Sequence, residues 1–437
     1  MAAYVALTSG PGLLRILLFT FPLSMVGVIG YGGVGFGLDR MFASIVILQG
    51  ALLWIWKKRS INLQVLLVFI VAFFIVAPPL ILNKEIVTYF IDRTQASGIG
   101  SSAAASLNQG SIIKIAQLVF SAFFALFLAK RLSQLGSTNV ERFLTYGLIV
   151  VCGSAFLDFI PGIESLYQVI KQNPSYPVII SRTESSFGFD RLSGLTAEPS
   201  HLVVFAAAGL ILMAGRYFFS PVIFGRSQWV ATSVFGSTAI LSLSPSLLAM
   251  LAPITVAILF YSKKTTRRAL MIVVAILAIA ALYISGWFQL IGKAYMLKLG
   301  LGAPAEVGYS ELRALSFKYS LEVGMDNNWF GVGLGNFGLT VGLPNLLFAS
   351  TGIIGVVLSV ILVIRYVFAC KRVSKTYVGV QRHLWISFFG IALGVLTMSL
   401  FTKGLQVLIH IPYIIFLVLP LINGAPNPVS SVRRLRD

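Results

Sequence analysis

From Asn345 to Ala369 the chain reads NLLFASTGIIGVVLSVILVIRYVFA, a run in which Arg365 is the only charged side chain. A helix rises about 1.5 Å per residue, so a run of this length spans the roughly 30 Å hydrocarbon core of a bilayer. The stretch therefore predicts a transmembrane helix and indicates the class to which the whole chain belongs.

The composition of the whole chain agrees with this stretch. Of 437 residues, 57% are hydrophobic and 11% are charged, which is too little polar surface to cover a water-soluble protein. Apolar runs of span length recur along the chain and leave no room for a separate soluble domain. We therefore predict an all-α polytopic membrane protein with a single domain covering residues 1–437.

The apolar runs predict about twelve transmembrane helices. At Pro245 the sequence allows either two short helices or one long broken helix, and the second alternative would reverse the direction of every later span. The predicted helices lie near residues 14–34, 41–56, 62–83, 112–129, 143–163, 200–215, 228–243, 245–262, 269–290, 345–369, 384–401 and 405–422.

The distribution of basic residues predicts the orientation of these helices. With both termini in the cytoplasm, 21 of the 33 Lys and Arg residues fall in cytoplasmic segments, accompanied there by Glu141 and Asp437. The outer segments then hold equal numbers of basic and acidic residues, so the whole net charge of +19 lies inside. This asymmetry follows the positive-inside rule for membrane proteins.

The same distribution argues against nucleic acid and nucleotide ligands. The basic residues are dispersed in short loops and form no patch interleaved with aromatic residues, so we expect no nucleic-acid partner. Gly333, Gly335 and Gly338 match G-x-G-x-x-G, but that motif binds dinucleotides only between a strand and a helix. No histidines have metal-ligand spacing, so we expect no metal and no other cofactor.

Two long outer segments, residues 164–199 and 291–344, are the candidates for function, because long connections are usually functional or disordered. The first leads into SRTESSFGFDRLSGLTAEPSH, residues 181–201, which concentrates ionisable side chains at the mouth of the sixth span. Such groups are costly at a membrane boundary unless they are paired or solvated. Two interpretations stay open: a solvated loop with internal ion pairs, or a substrate site.

The second outer segment predicts an amphipathic helix at the membrane surface. Leu312, Leu315, Tyr319 and Val323 recur at helical spacing. The glycine-rich stretch DNNWFGVGLGNFG, residues 326–338, then returns the chain to the membrane, and its glycines allow close approach of the backbone to a neighbour.

These two segments resemble the signature regions of the O-antigen polymerase and ligase superfamily of bacterial inner-membrane glycosyltransferases. The resemblance rests on RLSGLTAEPS at 191–200 and on LRALSFKYSLEVGMDNNWFGVGLGNFG at 312–338, with GVGLGNF its most specific part. The spacing from Arg313 to Gly324 is also similar to the family pattern. The resemblance implies a GT-C-like fold in the bacterial inner membrane, with two long periplasmic loops and a periplasmic active site.

What the resemblance implies chemically is metal-independent transfer of a glycan from undecaprenyl diphosphate. Guanidinium groups are planar bidentate donors that match phosphate geometry and stay charged. Arg191 and Arg313 are therefore the candidates for binding the diphosphate, with Arg182 as a third. The glycines expected to shape the backbone of this site are Gly194, Gly324 and Gly335.

An acceptor hydroxyl must also lose its proton, and Glu198 and His201, about one helical turn apart, are the candidate general bases. The alternative for Glu198 is a carboxylate stabilised by a helix dipole, and for His201 a helix-terminal histidine satisfied by a neighbour. Asp158, in the outer half of the fifth span, has two interpretations: a structural pairing with an outer basic side chain, which we favour, or a place in the lining of the same cavity. His410 is placed within the last span without a ligand role.

Two departures from the family bear on the activity. The ligase branch has a His-Asn pair after GVGLGNF, whereas this chain has Asn345 and no histidine there, which favours a polymerase. The arginine usual on the eighth span is also absent. Since AEPS resembles the exopolysaccharide branch of the Wzy-type polymerases, we expect a growing glycan to be moved onto an incoming lipid-linked repeat unit. The expected partners are this undecaprenyl-diphosphate-linked oligosaccharide, bacterial membrane lipids and a chain-length regulator.

An O-antigen ligase and a lipid-linked glycan flippase or transporter are the alternatives. Transporters tend to keep charges and broken helices near the midplane and to show two similar halves. Here the polar residues collect at the outer surface, and no internal repeat is evident.

Overall fold

The structure of the chain is a computed structural model. It describes residues 10–23, 27–31, 34–56, 109–160, 162–163, 192, 194–196, 199–220, 224–242, 244, 246–261, 320–326, 331–332, 342–377, 381–400 and 410–423.

Helices dominate the described residues, as the apolar runs predict. Short 3₁₀ segments extend α1, α4 and α10, at Phe21–Leu23, Ala155–Phe159 and Leu419–Leu421, and residues 320–326 are also helical. The α-helices are α1 (Gly10–Thr20), α2 (Leu38–Trp56), α3 (Gln109–Leu135), α4 (Ser137–Ser154), α5 (Pro199–Phe219), α6 (Arg226–Leu241), α7 (Ser246–Tyr261), α8 (Leu343–Ser374), α9 (Arg382–Met398) and α10 (Ile411–Val418).

The described helices identify the chain as a helical membrane protein. Four are long and apolar enough to cross a bilayer: Ala116–Leu135, Ser137–Phe159, Ser200–Phe219 and Leu343–Ser374. Several shorter apolar helices accompany them. The predicted spans at 62–83 and 269–290 lie outside the described residues, so the total of twelve stays a prediction.

The predicted first span, 14–34, is wrong in its second half. The helix ends at Leu23, and the chain then forms an antiparallel hairpin of β1 (Gly27–Tyr31) and β2 (Val34–Gly37). The stretch GVIGYGGVGFG is apolar, but each glycine costs about 1 kcal/mol relative to alanine in a helix interior. Because the prediction used apolarity alone, it extended the span into a segment that forms strands.

Around Pro245 the described structure has two helices, as the first alternative required. Helix α6 ends at Leu241, and the Ser242 hydroxyl donates to the Thr238 carbonyl at 2.7 Å. Helix α7 then begins at Ser246. The break falls where proline disfavours a helical conformation for the residue before it.

Helix α5 is the centre of the described bundle, and it packs against α4, α6, α7 and α9. Its middle contains three alanines and Gly209, and small residues allow helices to approach closely in a membrane. A Cβ atom at Gly209 would lie 2.6 Å from the Phe235 ring of α6. The middle of α5 is therefore closely packed against α6.

The C-terminal segment is tied down by two tyrosines. Tyr366 on α8 donates its hydroxyl to the Leu417 carbonyl at 2.6 Å, and Tyr377 donates to the Ile422 carbonyl at 2.7 Å. Burial raises the pKa of Tyr377 well above its ordinary value, so this hydroxyl stays protonated as a donor. These bonds fix the end of α10 that is opposite to His410.

Candidate functional site

A tight turn at residues 194–196 lies within the first signature region. Gly194 has a φ of 51°, in the left-handed region, and its N–H donates to Asp158 Oδ2 at 2.9 Å. The Leu195 N–H donates to Ser154 Oγ at 3.1 Å, and the Ser154 hydroxyl donates to the Val151 carbonyl at 2.6 Å. Side chains from the end of α4 therefore fix the backbone of the turn.

This contact gives Asp158 a role that the sequence did not indicate. Asp158 Oδ2 accepts a hydrogen bond from a backbone amide, a contact that neither interpretation of its sequence included. Hydrogen bonds to an ionised carboxylate are about twice as strong as neutral ones. Asp158 is therefore a structural support of the RLSGLT turn.

The turn also packs onto the first turn of α5. Leu192, Leu202 and Ala155 form a small buried cluster with exposures of 3%, 0% and 0%. Leu202 directly follows His201. The RLSGLT segment and the helix that carries His201 are therefore held together by apolar contact as well as by the chain connection.

His201 lies in a layer of three rings at the start of α5 and α10. Its Nδ1 is 2.8 Å from the Tyr413 hydroxyl. Its ring centroid is 5.9 Å from that of His410 and 6.0 Å from that of Tyr413. Tyr413 is 1% exposed, so its hydroxyl is a buried hydrogen-bonding group directed at the imidazole.

A second layer of three rings lies one helical turn deeper. Phe205 and Phe416 follow His201 and Tyr413 by four and three residues, which places them on the same helix faces. Together with Phe21 they form edge-to-face contacts with centroids 5.5–6.1 Å apart, and none is more than 2% exposed. The polar layer therefore lies above a layer of three buried phenylalanine rings.

Arg40 brings a positive charge to the same end of the bundle. It lies in the first turn of α2, which packs against α10. The guanidinium is near enough to His410 for the charges of the two groups to interact. The polar cluster therefore consists of His201, His410, Tyr413 and Arg40, contributed by α2, α5 and the start of α10.

Residues 331 and 332 of the second signature region contact α8 beside a break in that helix. At Gly352 the backbone has φ 61° and ψ −164°, which interrupts the helix. The Val332 N–H donates to the Ala349 carbonyl at 2.9 Å, an acceptor next to that break. A Cβ atom at Gly331 would lie 2.5 Å from the Ser350 carbonyl carbon, so only glycine fits this approach.

The helical residues 320–326 pack beside the same helix. Val323 is 3% exposed, in agreement with the predicted apolar face, and a Cβ atom at Gly324 would collide with the Phe348 ring. Two buried side-chain atoms of α8, Asn345 Nδ2 and Ser350 Oγ, have no hydrogen-bond partner within the described residues.

The structure describes three of the predicted site residues. Gly194 and His201 lie in the joined turn and helix, whereas Gly324 lies against α8. No group of three or more His, Cys, Asp or Glu side chains within the described ranges is placed to hold a metal ion. The other predicted residues lie outside the described residues and stay predictions: Arg182, Arg191, Glu198, Arg313 and Gly335.

Sequence reasoning missed three members of the polar cluster. His410 carried a signal, because an ionisable side chain in an apolar span is a functional candidate by default. Arg40 follows an aspartate just before a predicted span, where a charged pair is typical of a loop and does not by itself indicate a site. Tyr413 gave no signal, since a tyrosine in HIPYIIFLV is indistinguishable from a core aromatic.

No known protein-family model matches the chain, and no curated protein matches its sequence. The described part of the chain is a helical membrane protein in which a polar cluster lies above a layer of buried phenylalanine rings.

Proposed function

We propose that the chain is a polysaccharide polymerase of the bacterial inner membrane. It transfers a growing glycan from undecaprenyl diphosphate onto an incoming lipid-linked repeat unit at the periplasmic face. The proposal joins the two signature regions of the sequence to the polar cluster at the start of α5.

The observation that carries the proposal is the attachment of the RLSGLT turn to the helix bearing His201. Asp158 and Ser154 hold the turn, and Leu192 packs against Leu202. Leu192 directly follows Arg191, the proposed diphosphate ligand. The candidate base His201 is therefore joined to a supported turn, and this turn directly follows the proposed diphosphate ligand in the sequence.

In the proposed reaction the arginines bind the leaving group and a base activates the acceptor. Arg191 and Arg313, with Arg182, stabilise the negative charge that develops on the departing diphosphate. Glu198 or His201 accepts the proton of the attacking sugar hydroxyl. Neither step requires a nucleotide sugar.

The surroundings of His201 suit such chemistry. The three phenylalanines beneath the polar cluster exclude water from one side of it, and charge interactions are stronger in such a low-dielectric environment than in bulk water. Arg40 adds a positive charge close by, which would favour an anionic donor. A cluster of this kind at the end of a bundle fits a substrate carrying a diphosphate.

The test is a reconstituted assay with purified protein in lipid vesicles and an undecaprenyl-diphosphate-linked repeat unit. Glycan ladders that lengthen with time support the polymerase. The variants Arg191→Ala, Arg313→Ala, Glu198→Gln and His201→Gln identify the residues that the reaction needs. Arg142→Gln is a matched control, because Arg142 is exposed and precedes the predicted fifth span on its cytoplasmic side.

Other outcomes would overturn the proposal. Glycan that appears on a lipid A core acceptor, without ladders, would indicate a ligase. Movement of the intact lipid-linked unit across the bilayer, unaffected by the arginine variants, would indicate a flippase. Full activity of both Arg191→Ala and Arg313→Ala would remove the proposed diphosphate site.

A further inference from the structure

The bond between Tyr413 and His201 joins residues 212 positions apart in the chain. A neutral imidazole carries one proton, and the hydrogen bond made by one ring nitrogen sets which nitrogen holds it. The Tyr413 hydroxyl can donate or accept. The bond therefore selects between two tautomers of His201 that differ in chemistry.

The two ring nitrogens of His201 lie at different distances from the α5 backbone. Nδ1 is the ring nitrogen nearer the α5 backbone, and it faces the buried Tyr413 hydroxyl. Nε2 is the ring nitrogen farther from that backbone. A base that serves a ligand at the mouth of the bundle needs its lone pair on Nε2, which requires the proton on Nδ1.

We propose that Tyr413 is a positioning residue that holds His201 as the general base by accepting a hydrogen bond from its Nδ1–H. This inference rests on the proposed polymerase function. It assigns the proton-accepting role to His201 Nε2, so that Glu198 is not the general base.

In the transfer step, Nε2 takes the proton of the acceptor hydroxyl as its oxygen bonds to the anomeric carbon of the donor. The bond from that carbon to the diphosphate oxygen breaks, and its electron pair leaves with undecaprenyl diphosphate. His201 becomes an imidazolium, whose Nδ1–H is stabilised by the Tyr413 oxygen. The imidazolium then releases its proton to water.

The groups around His201 fit this role. The ring centroid of His410, at the start of α10, lies 5.9 Å from that of His201. Arg40 lies in the first turn of α2, which packs against α10. Phe205 and Phe416 contact each other one helical turn below the pair, and both rings are buried. If the hydrogen bond only held α5 and α10 together, either tautomer of His201 could form it.

The tautomer is measured directly by ¹⁵N NMR of the full-length protein labelled at histidine. The chain contains 3 histidines, so the spectrum is assigned by comparing the wild type with His383→Gln and His410→Gln. We expect His201 in the Nδ1–H form, and a change in its tautomer in Tyr413→Phe. A wild-type His201 in the Nε2–H form would overturn the inference, whether or not the protein polymerises glycan.

Kinetics supply a second readout. We expect Tyr413→Phe to lower kcat by about 10- to 100-fold, the usual effect of removing a partner that orients a functional histidine. The pH at which the rate is half-maximal should shift, because the imidazolium loses its acceptor. Should Tyr413→Phe not fold, 3-fluorotyrosine at position 413 keeps the shape, makes the phenol a weaker acceptor and should produce a shift in the same direction.

The matched controls are Tyr366→Phe and Tyr377→Phe. Each removes a buried tyrosine hydroxyl bond to the same C-terminal segment, but neither touches His201. They should lower thermal stability and leave the pH profile unchanged. A Tyr413→Phe variant with the wild-type pH profile and kcat would overturn the inference and leave the polymerase proposal standing. Absence of glycan ladders from the wild type would overturn the polymerase proposal itself.

Discussion

The backbone amide of Gly194 donates a hydrogen bond of 2.9 Å to the carboxylate of Asp158, 36 residues earlier in the chain. This bond joins the 3₁₀ segment that extends α4 to the turn at residues 194–196, shortly before α5. Because the acceptor is a carboxylate, it is one of the stronger bonds within the described residues. The RLSGLT turn therefore depends on a residue outside its own motif.

Replacing Asp158 tests this dependence. Asp158→Ala leaves the Gly194 N–H without its acceptor, which should lower the free energy of unfolding by about 1–3 kcal/mol and reduce ladder formation. Asp158→Asn keeps an acceptor oxygen and should lose less. Thermal unfolding in detergent and the vesicle assay measure the two effects. Asp326→Ala removes an exposed carboxylate and serves as the control, and equal losses for Ala and Asn at 158 would contradict the assigned role.

Gly194 and Gly162 form a matched pair for the conformation of the turn. Both have positive φ, 51° and 80°, but a Cβ atom at Gly194 would lie 2.8 Å from the Ala155 nitrogen, whereas nothing lies within 4 Å of one at Gly162. Gly162→Ala should cost about 1 kcal/mol for the left-handed backbone alone. Gly194→Ala adds an overlap and should cost about 1–3 kcal/mol more. Similar unfolding temperatures for the two variants would show that the turn is not closely packed.

The apolar runs were sufficient to predict where most described helices lie, because a bilayer requires long apolar segments with internally satisfied backbones. They failed at residues 27–31 and 34, where the apolar run continues but glycines are frequent and the chain forms strands. The apolarity of a segment indicates that it avoids water, whereas helix formation also depends on the entropy of the backbone. The β-hairpin could have been predicted by weighing the glycines of GVIGYGGVGFG against its hydropathy.

The site was predicted less completely, for a different reason. His201 stood out because an ionisable side chain at a membrane boundary requires an explanation. Its partner Tyr413 lies 212 residues away, and a single sequence carries no information on that distance. Asp158 was recognised as unusual, but a carboxylate can be satisfied by a side chain or by a backbone amide, and sequence does not distinguish them.

Replacing Gly352, at the break in α8, and Gly236, inside α6, by alanine should change the free energy of unfolding in opposite directions. Gly352 has φ 61° and ψ −164°, a region that essentially only glycine occupies. Gly352→Ala should therefore cost about 1–3 kcal/mol of unfolding free energy. Gly236 lies inside α6 with nothing within 4 Å of an added Cβ atom, so Gly236→Ala should stabilise the protein by up to about 1 kcal/mol.

Thermal unfolding of the two variants in the same detergent measures the difference. A Gly352→Ala variant that is as stable as the wild type would show that α8 runs through this position without a break. Ladder formation is expected to fall with Gly352→Ala, since Val332 docks on the Ala349 carbonyl beside the break.

Glu141 and Arg216 join the ends of α4 and α5 that are opposite to the Gly194 turn. Arg216 Nη1 lies 3.8 Å from Glu141 Oε1, and the two side chains are 32% and 9% exposed. Because the carboxylate is the more buried partner, Arg216→Gln should destabilise the protein more than Glu141→Gln, by about 1 kcal/mol. The double variant should be close to Glu141→Gln alone, since no uncompensated charge is left.

A double-mutant cycle on thermal unfolding measures this coupling. Arg142→Gln is the matched control, because Arg142 is exposed beside Glu141 and contacts only Tyr146 among the bonds described for it; its effect should stay within about 0.5 kcal/mol. Raising the salt concentration should weaken the coupling only slightly, since a largely buried pair is poorly screened. Strictly additive losses in the double variant would show that the two charges do not interact, and that α4 and α5 are aligned by their apolar contacts alone.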